Sequence, residues 1–438
     1  MNLYYNKIYQ RMKQQIIIIG IVIGGVLGLP MEGNAATITS AASGNWSLGA
    51  TWGEVCGDHP AACSHGAGTH YPGAVNDVVI DDGHQVTITA DATCASLTLE
   101  ASTSFSPVVI IVASGVVLTV NGDITMKSIA ALLGSIIRFI PGGTGTTTVT
   151  GNINFTGADA GIVTSGIDMD ECTTCTLNIG GNFVLATGNE QLTSTDASTV
   201  NFNGSGAQSM DMNTAFVYGN VTFNNTGSGV TLTSPITTAN VLGDLTISDG
   251  TFDVGTHAVA GNGTEEFIVD DGGTLNLGTG SSFPTGFGTF TFNTGGTVNY
   301  SATATQTISD QDYANLTLSG SGAKSLPAAS TVTASGTLTI DGTATLDMDA
   351  NIENISVHSI DDNNTSDGIL STDVANVITF TGSTAATIDV SGTATVTYGN
   401  VNFQNTAGTV LGTLGGTLEF DNVTIGTTGI LSAGSNGF

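Results

Sequence analysis

One short stretch of the chain, GEVCGDHPAACSHGAGTH at 53–70, carries an unusual density of thiol and imidazole side chains. Its chemistry-bearing residues are Cys56, Asp58, His59, Cys63, His65 and His70. Thiolate and imidazole are the ligands that zinc prefers, so the cysteines and histidines of this stretch are metal candidates. The competing interpretation is a surface loop held by a disulfide, which an oxidising compartment would favour.

The remaining cysteines extend the disulfide interpretation. Cys56, Cys63 and Cys94 allow three pairings, each of which leaves one thiol over. Cys172 and Cys175 form a CxxC within DMDECTTCTLNI. No βαβ pattern of the thioredoxin type surrounds this motif, so a small-loop disulfide at a chain corner is the favoured prediction.

Paired carboxylates recur along the chain and raise the question of calcium. The pairs are Asp81–Asp82, Glu265–Glu266, Asp270–Asp271 and Asp361–Asp362. Carboxylate oxygens in loops suit calcium. Because no strict calcium-repeat spacing appears, a solvated acidic surface is the simpler interpretation, and no other cofactor is predicted.

The pattern of charges argues against catalysis. A glycosidase needs two carboxylates at a controlled separation, and aspartates are available throughout. A lyase acting on acidic sugars needs a cation, and only Lys127, Arg138 and Lys324 lie beyond the first thirteen residues. An acidic chain would also repel an acidic polysaccharide. We predict no catalytic residue, with a carbohydrate-active β-helix enzyme or a carbohydrate-binding module as the alternative.

The net charge limits the partners of the chain, and the N-terminal residues indicate export. The net charge of −30 excludes nucleic acid as a partner, because binding to phosphates requires clustered cations. Lys7, Arg11 and Lys13 precede the apolar run IIIIGIVIGGVLGL at 16–29, and small residues follow. This is the pattern of a secretory signal peptide over 1–35. An uncleaved anchor is the alternative, but the run is shorter than the ~20 residues that span a bilayer. No membrane span is expected after cleavage.

Three related modules occupy the second half of the chain, beginning near 200, 298 and 378. Each contains a first segment, a segment led by tyrosine and a third segment, as in VNFNGSGAQSM, YGNVTFNN and LGDLTISDG of the first module. Looser copies appear from about 118. Within each segment the apolar residues alternate with polar ones, as strands with one buried face do.

Short two-faced segments that recur every 15 to 25 residues predict a β-solenoid, in which each strand stacks on the next copy of itself. We therefore expect an all-β fold, with the solenoid over 126–438 and a capping region over 36–125 that contains both tryptophans. Antiparallel β-sandwiches in series are the alternative. The ambiguous segment KSIAALLGSIIRFIPGG at 127–143 is interpreted as two strands of a coil, because glycine would interrupt a helix there.

The N-terminal region also resembles a known family. GNWSLGATW at 44–52, followed by YPGAVNDVVIDDGHQVTITADATCASLTLE at 71–100, is similar to the opening of secreted bacterial β-helix proteins and to the G8 domain of extracellular proteins. The later repeats resemble those of bacterial adhesin-like surface proteins. The resemblance implies a right-handed parallel β-helix, an extracellular role and a bridge from Cys94 to Cys56 or Cys63. The stretch 53–70 departs from the family pattern as an insertion.

These observations predict an exported bacterial β-solenoid that acts as an adhesin-like or structural component of the cell surface, without catalysis. Its expected partners are an extracellular surface, a glycan or a matrix component, and self-association is a further expectation.

Thr-x-Thr runs such as Thr87 to Thr89 also suggest ice binding, which requires threonines at regular positions on every coil. In the sequence their positions are irregular, which weighs against that function.

Overall fold

The structure is a computed structural model, and it describes most of the chain beyond the N-terminal segment. The described residues are 37–52, 71–101, 107–128, 135–139, 143–157, 165–170, 172–186, 190–212, 215–348, 353–364, 368–370, 375–391 and 395–432. The predicted signal peptide over 1–35 lies outside them. Among these residues the structure contains one short helix, and no helix is long and apolar enough to cross a membrane.

The elements are short strands. The first part of the chain contains β1 (Thr37–Thr39), β2 (Gly44–Asn45), the helix α1 (Gly49–Trp52), β3 (Asp77–Ile80), β4 (Gln85–Ile88), β5 (Ala92–Cys94), β6 (Ser96–Ala101), β7 (Val108–Val112), β8 (Val117–Val120), β9 (Ile124–Ser128), β10 (Ser135–Phe139), β11 (Thr146–Val149), β12 (Ile153–Gly157), β13 (Gly166–Met169), β14 (Thr176–Ile179), β15 (Phe183–Val184), β16 (Gln191–Ser194), β17 (Thr199–Phe202) and β18 (Gln208–Met210). The second part contains β19 (Asn220–Leu232), β20 (Leu245–Asp253), β21 (Glu266–Val269), β22 (Gly273–Leu277), β23 (Thr289–Phe292), β24 (Thr297–Tyr300), β25 (Gln306–Thr307), β26 (Asp312–Tyr313), β27 (Asn315–Leu318), β28 (Ser321–Ser325), β29 (Thr331–Ile340), β30 (Thr343–Asp347), β31 (Asn354–Asp362), β32 (Ile369–Leu370), β33 (Val377–Phe380), β34 (Ala386–Val390), β35 (Thr395–Phe403), β36 (Thr409–Leu414), β37 (Thr417–Ile425) and β38 (Leu431–Ser432).

Every pairing between these strands is parallel, and most strands pair with a strand of the preceding coil and a strand of the following coil. One sheet runs in the order β1-β3-β6-β9-β12-β15, and a second in the order β2-β4-β7-β10-β13-β16. Paired residues on successive coils lie from 18 positions apart, at Val298 and Leu316, to 42 apart, at Gly44 and Val86. The prediction of a parallel β-solenoid is confirmed, and the antiparallel sandwich is wrong because no described pair is antiparallel.

The three segments of each repeat lie directly above one another on successive coils. The stacked residues are Val200, Val221 and Leu245 in the first module, Val298, Leu316 and Leu338 in the second, and Ile378, Val401 and Val423 in the third. The expected boundary between 125 and 126 falls within β9, whose sheet continues on both sides of it. The division into a cap and a solenoid stays a prediction.

The ambiguous segment after Met126 also joins the coils. Its first residues complete β9, and Ser135–Phe139 forms β10, which pairs with β7 and β13 in parallel. Residues 129–134 between these two strands lie outside the described part. The interpretation of this segment as strands, rather than as a helix, is therefore correct where the structure describes it.

The core is one column of inward side chains, because alternate residues of each strand point into the coil. Phe202, Phe223 and Phe252 illustrate it: the ring centroids of the first two lie 5.7 Å apart, and Phe223 stacks on Phe252 at 4.1 Å. The tyrosines that lead the repeated segments, Tyr218 and Tyr398 among them, are fully buried in the same column.

Two tryptophans pack together at the first coils. Trp46 and Trp52 are both buried, and their ring centroids lie 5.0 Å apart in an edge-to-face arrangement. Trp52 Nε1 donates to the Trp46 carbonyl at 2.6 Å, so the indole N–H that burial removes from water has a partner. Both tryptophans thus belong to the same buried apolar cluster as the column.

A buried amide side chain closes the same corner in the first and second modules. Gln208 Oε1 accepts the Gly204 amide at 2.8 Å, and Gln306 Oε1 accepts the Ala302 amide at 2.9 Å. Each Nε2 then donates to a carbonyl of the preceding coil, that of Leu277 at 3.0 Å in the second module. Both glutamines lie eight residues after the first apolar residue of the repeat, so the repeat specifies its corner as well as its strand.

Candidate functional site

The predicted metal and disulfide stretch lies outside the described residues. Cys56, His59, Cys63, His65 and His70 all belong to the segment 53–70. A zinc site there, and a bridge from Cys94 to Cys56 or Cys63, therefore stay predictions. Among the described residues, no group of three or more histidine, cysteine, aspartate or glutamate side chains could hold a metal ion.

The three described cysteines are buried, and no disulfide joins any two of them in the structure. Cys94 is an inward residue of β5, and burial, with a smaller contribution from the charge of Asp77, raises the pKa of its thiol to about 12. Cys172 Sγ donates to the Met169 carbonyl at 3.1 Å, and Cys175 is buried in the same core. A disulfide at the CxxC stays a prediction, and buried protonated thiols such as Cys94 are poor nucleophiles.

The paired carboxylates bond to neighbouring chain groups and do not converge. Glu265 is buried, and its Oε2 accepts the Asn262 amide at 2.8 Å, while Asp270 Oδ1 accepts Asn293 Nδ2 at 2.6 Å. Asp81 Oδ1 accepts the next backbone amide at 2.8 Å. These bonds order corners of the coils, and calcium at the acidic pairs stays a prediction.

The pair at 361–362 is divided between the two faces of β31. Asp361 lies on the outer face between Thr339 and Asp389 of the adjacent coils. Asp362 is fully buried, at a position stacked between Ile340 and Val390. The alternation of β31 therefore places one carboxylate on the half-buried outer face and the other in the apolar column, which the sequence did not reveal.

Lys324 is a cation inside the coil. Its side chain is fully buried, and Nζ donates to the carbonyls of Ala302, Ser321 and Ala304 at 2.6, 3.1 and 3.3 Å. Burial lowers the pKa of Lys324 to about 8. The ammonium donates to three carbonyls of a corner, and Nε2 of Gln306, which pairs with Lys324, donates to two carbonyls of the preceding coil. The role of Lys324 is structural support.

Replacing Lys324→Met is expected to lower the free energy of unfolding by about 1–3 kcal/mol, because buried carbonyls lose their donor. Urea denaturation followed by circular dichroism measures the loss. Lys127→Met is the matched control: Lys127 is 43% exposed and lies 3.5 Å from Glu100, so its change is expected within about 0.5 kcal/mol. Equal stability of the two variants would contradict the assignment.

A cleft of about 290 Å³ opens beside this corner. It is lined by neutral residues, among them Ser282, Phe283, Tyr300 and Thr305. Its polar floor is already bonded: the Tyr300 hydroxyl contacts the Tyr313 hydroxyl at 2.9 Å and accepts the Ser309 amide at 2.8 Å. The volume is close to the lower end of the range for ligand pockets, about 300–1,000 Å³. The cleft can accommodate one small neutral group.

Outward threonines and asparagines form a regular array on one face of the coils, against the expectation that their positions are irregular. The array comprises two columns on β8, β11, β14, β17 and β19, which we call the Thr/Asn face. Its members are Val117, Thr146, Thr176, Thr199 and Asn220 in one column and Thr119, Thr148, Asn178, Asn201 and Thr222 in the other. The irregularity in the sequence reflects corners of different length.

Comparison with known proteins identifies no relative: no family model, no curated protein and no solved structure matches the chain. The functional argument therefore depends on the fold and on the surfaces described above.

Proposed function

We propose that the chain is an exported bacterial β-solenoid that acts outside the cell as a stiff, adhesin-like or structural component of the surface, without catalysis. The observation that carries the proposal is the parallel stacking of coils, from β1 to β38, around one apolar column. In such a stack each coil contacts only its neighbours, so added coils extend the molecule in one direction.

The chemistry of the surface supports an extracellular role. The net charge of −30 is carried by a fold in which Glu and Asp lie largely at corners and outer faces, and such a charge favours solubility over self-collapse. Side-chain ladders between coils add to stiffness: Asn201 Nδ2 donates to Asn178 Oδ1 at 3.1 Å, and Asn422 Nδ2 donates to Asn400 Oδ1 at 2.8 Å.

The N-terminal charge and apolar pattern supports export, and the resemblance to secreted β-helix proteins supports a surface location. A stiff rod presents its faces and corners at a distance from the cell. A glycan, a matrix component or a second copy of the chain are partners that these surfaces would meet. The neutral cleft beside Gln306 would suit a single sugar unit, which keeps a carbohydrate-binding module as the second candidate.

The test is localisation of the full chain, carrying a C-terminal epitope, in a bacterial host. We expect the epitope outside the cytoplasm, on a product whose N-terminus lies near residue 36. A variant with Ile18→Asp and Val22→Asp interrupts the apolar run and should remain in the cytoplasm with its N-terminus intact. Retention of the unaltered chain in the cytoplasm, uncleaved and folded, would refute export.

A further inference from the structure

The Thr/Asn face is neutral on a strongly acidic chain. Its ten positions comprise six threonines, three asparagines and one valine, and none carries a charge. The same chain has 36 acidic residues. On the next coils of the same sheet an acidic residue enters an outward position, at Glu266. Uncharged threonines and asparagines return at the outward positions of β22, β24 and β27, so the Thr/Asn face is the longer of two neutral stretches of this sheet.

The Thr/Asn face is also regular in two directions. Neighbouring coils of a sheet lie ~4.8 Å apart, and alternate residues of a parallel strand lie ~6.6 Å apart. The pairing between β8 and the first half of β19 has no register shift, so both spacings repeat over five consecutive coils. Corner insertions change the number of residues between coils without disturbing this array.

The side chains of the array are held in fixed positions. Threonine is branched at Cβ and therefore has few rotamers. Asn178 Nδ2 donates to Thr148 Oγ1 at 3.1 Å, and Asn201 Nδ2 donates to Asn178 Oδ1 at 3.1 Å. A ligand that binds here does not have to order these groups first, which reduces the entropic cost of binding.

Five hydroxyls of the array remain available to a ligand. Within the part of the chain that the structure describes, these side chains have no hydrogen-bond partner; they are Thr119, Thr146, Thr176, Thr199 and Thr222. Each is half-buried in its row, with its outer surface open to solvent. The face thus presents rows of hydroxyl and methyl groups at a constant spacing.

These features select the kind of ligand. The face encloses no pocket, so its ligand must itself be flat, neutral and periodic. The ten positions include no aromatic ring, the usual platform for a sugar or a base. Charged groups would impose their own hydration shells, whereas hydroxyls and methyls at fixed spacing can join a tetrahedral water lattice. We propose that the Thr/Asn face binds the surface of ice.

The experiment uses the purified full chain in a slowly freezing solution. We expect the chain to be enriched in the ice fraction and to inhibit the recrystallisation of small ice grains. The double variant Thr176→Tyr and Thr199→Tyr places two bulky rings at the centre of the face and should lower the partition into ice about tenfold. Circular dichroism and the melting temperature verify that the variant is folded.

The matched control is Thr125→Tyr, an outward threonine of β9 on a different sheet, which should partition like the unaltered chain. Exclusion of the folded chain from ice would overturn the proposal, as would equal partition of the double variant and the control. Retention on cellulose or chitin powder together with exclusion from ice would instead assign a polysaccharide to the face. Because the assay uses purified protein, its outcome is independent of the export test.

Discussion

Replacement of Phe223 by alanine is expected to lower the free energy of unfolding by about 3–5 kcal/mol, the usual cost of a large cavity in a core. Phe223 is 1% exposed, and its ring lies between those of Phe202 and Phe252, at centroid distances of 5.7 and 4.1 Å. A solenoid has no second layer that could close over the gap, because each coil packs only on its neighbours.

The measurement is the urea dependence of the circular dichroism signal, combined with hydrogen exchange of the coils on either side. Thr222→Ala is the control, since Thr222 is the adjacent outward residue of the same strand, and a change within about 1 kcal/mol is expected there. If Phe223→Ala lowered the free energy of unfolding no more than the control does, the ring would not lie in a packed column.

The second large effect concerns the buried carboxyl of Asp362. Burial, with a smaller contribution from the charge of Asp361, raises the pKa of Asp362 from 3.8 to about 6. The Asn364 amide donates to Oδ1 at 3.1 Å and opposes this shift, but Oδ2 has no partner within the described residues. The buried hydroxyl of Tyr398 likewise has no partner among the described residues, and burial, with a smaller contribution from the charge of Asp362, raises its pKa.

A carboxyl whose pKa is higher in the folded state binds its proton more tightly when folded, so it favours folding at low pH. The contribution is complete below about pH 4 and is lost as the pH rises through about 6. The full change corresponds to about 3 kcal/mol at 1.36 kcal/mol for each pKa unit. Asp362→Asn cannot ionise, and we expect it to be more stable than the unaltered chain at pH 8 by up to this amount.

At pH 4 the two proteins should be equally stable, because both carry a neutral side chain at 362. Melting temperatures of both between pH 4 and pH 8 provide the comparison. Asp361→Asn, on the outer face of the same strand, serves as the control and should leave the loss of stability between pH 4 and pH 6 in place. If Asp362→Asn lost as much stability between pH 4 and pH 6 as the unaltered chain, the pH dependence of stability would belong to another group.

The strand repeat could be predicted because alternation and recurrence are local properties of the sequence. Val221 and Phe223 differ from Thr222 in polarity, and the same contrast returns at Val401 and Phe403, so the inward residues were identifiable without coordinates. The stacking of these segments follows from their shortness, since a strand of four residues cannot bury its apolar face alone.

The register between coils could not be predicted, because the corners vary in length. Paired residues of successive coils are separated by 18 to 42 positions, so the sequence gave no sign that Thr148 and Asn178 share a row. The burial of Lys324 and Asp362 could not be predicted from the sequence for a related reason. Each lies where a strand meets a corner, and a polar residue there can point either way.

The polar corner residues left a weak signal. Gln208 and Gln306 each follow a run of small residues, in NGSGAQ and SATATQ, at the same distance from the preceding strand. An alignment of the modules by their strands would have placed the two glutamines at the same position. Their role became clear only from the carbonyls of the previous coil, which no pattern within one repeat contains.

The register of the coils is tested most directly by cysteine pairs on the outer face. Asn201 and Thr222 pair on adjacent coils, whereas Thr246 lies one coil beyond Thr222. A disulfide requires a Cα separation of about 4.4–6.8 Å, which one coil spacing of ~4.8 Å meets and two spacings exceed. We predict that Asn201→Cys with Thr222→Cys forms a linked peptide under mild oxidation, and that Asn201→Cys with Thr246→Cys does not. The reverse result, measured by mass spectrometry of the digested protein, would contradict the stacked parallel coil.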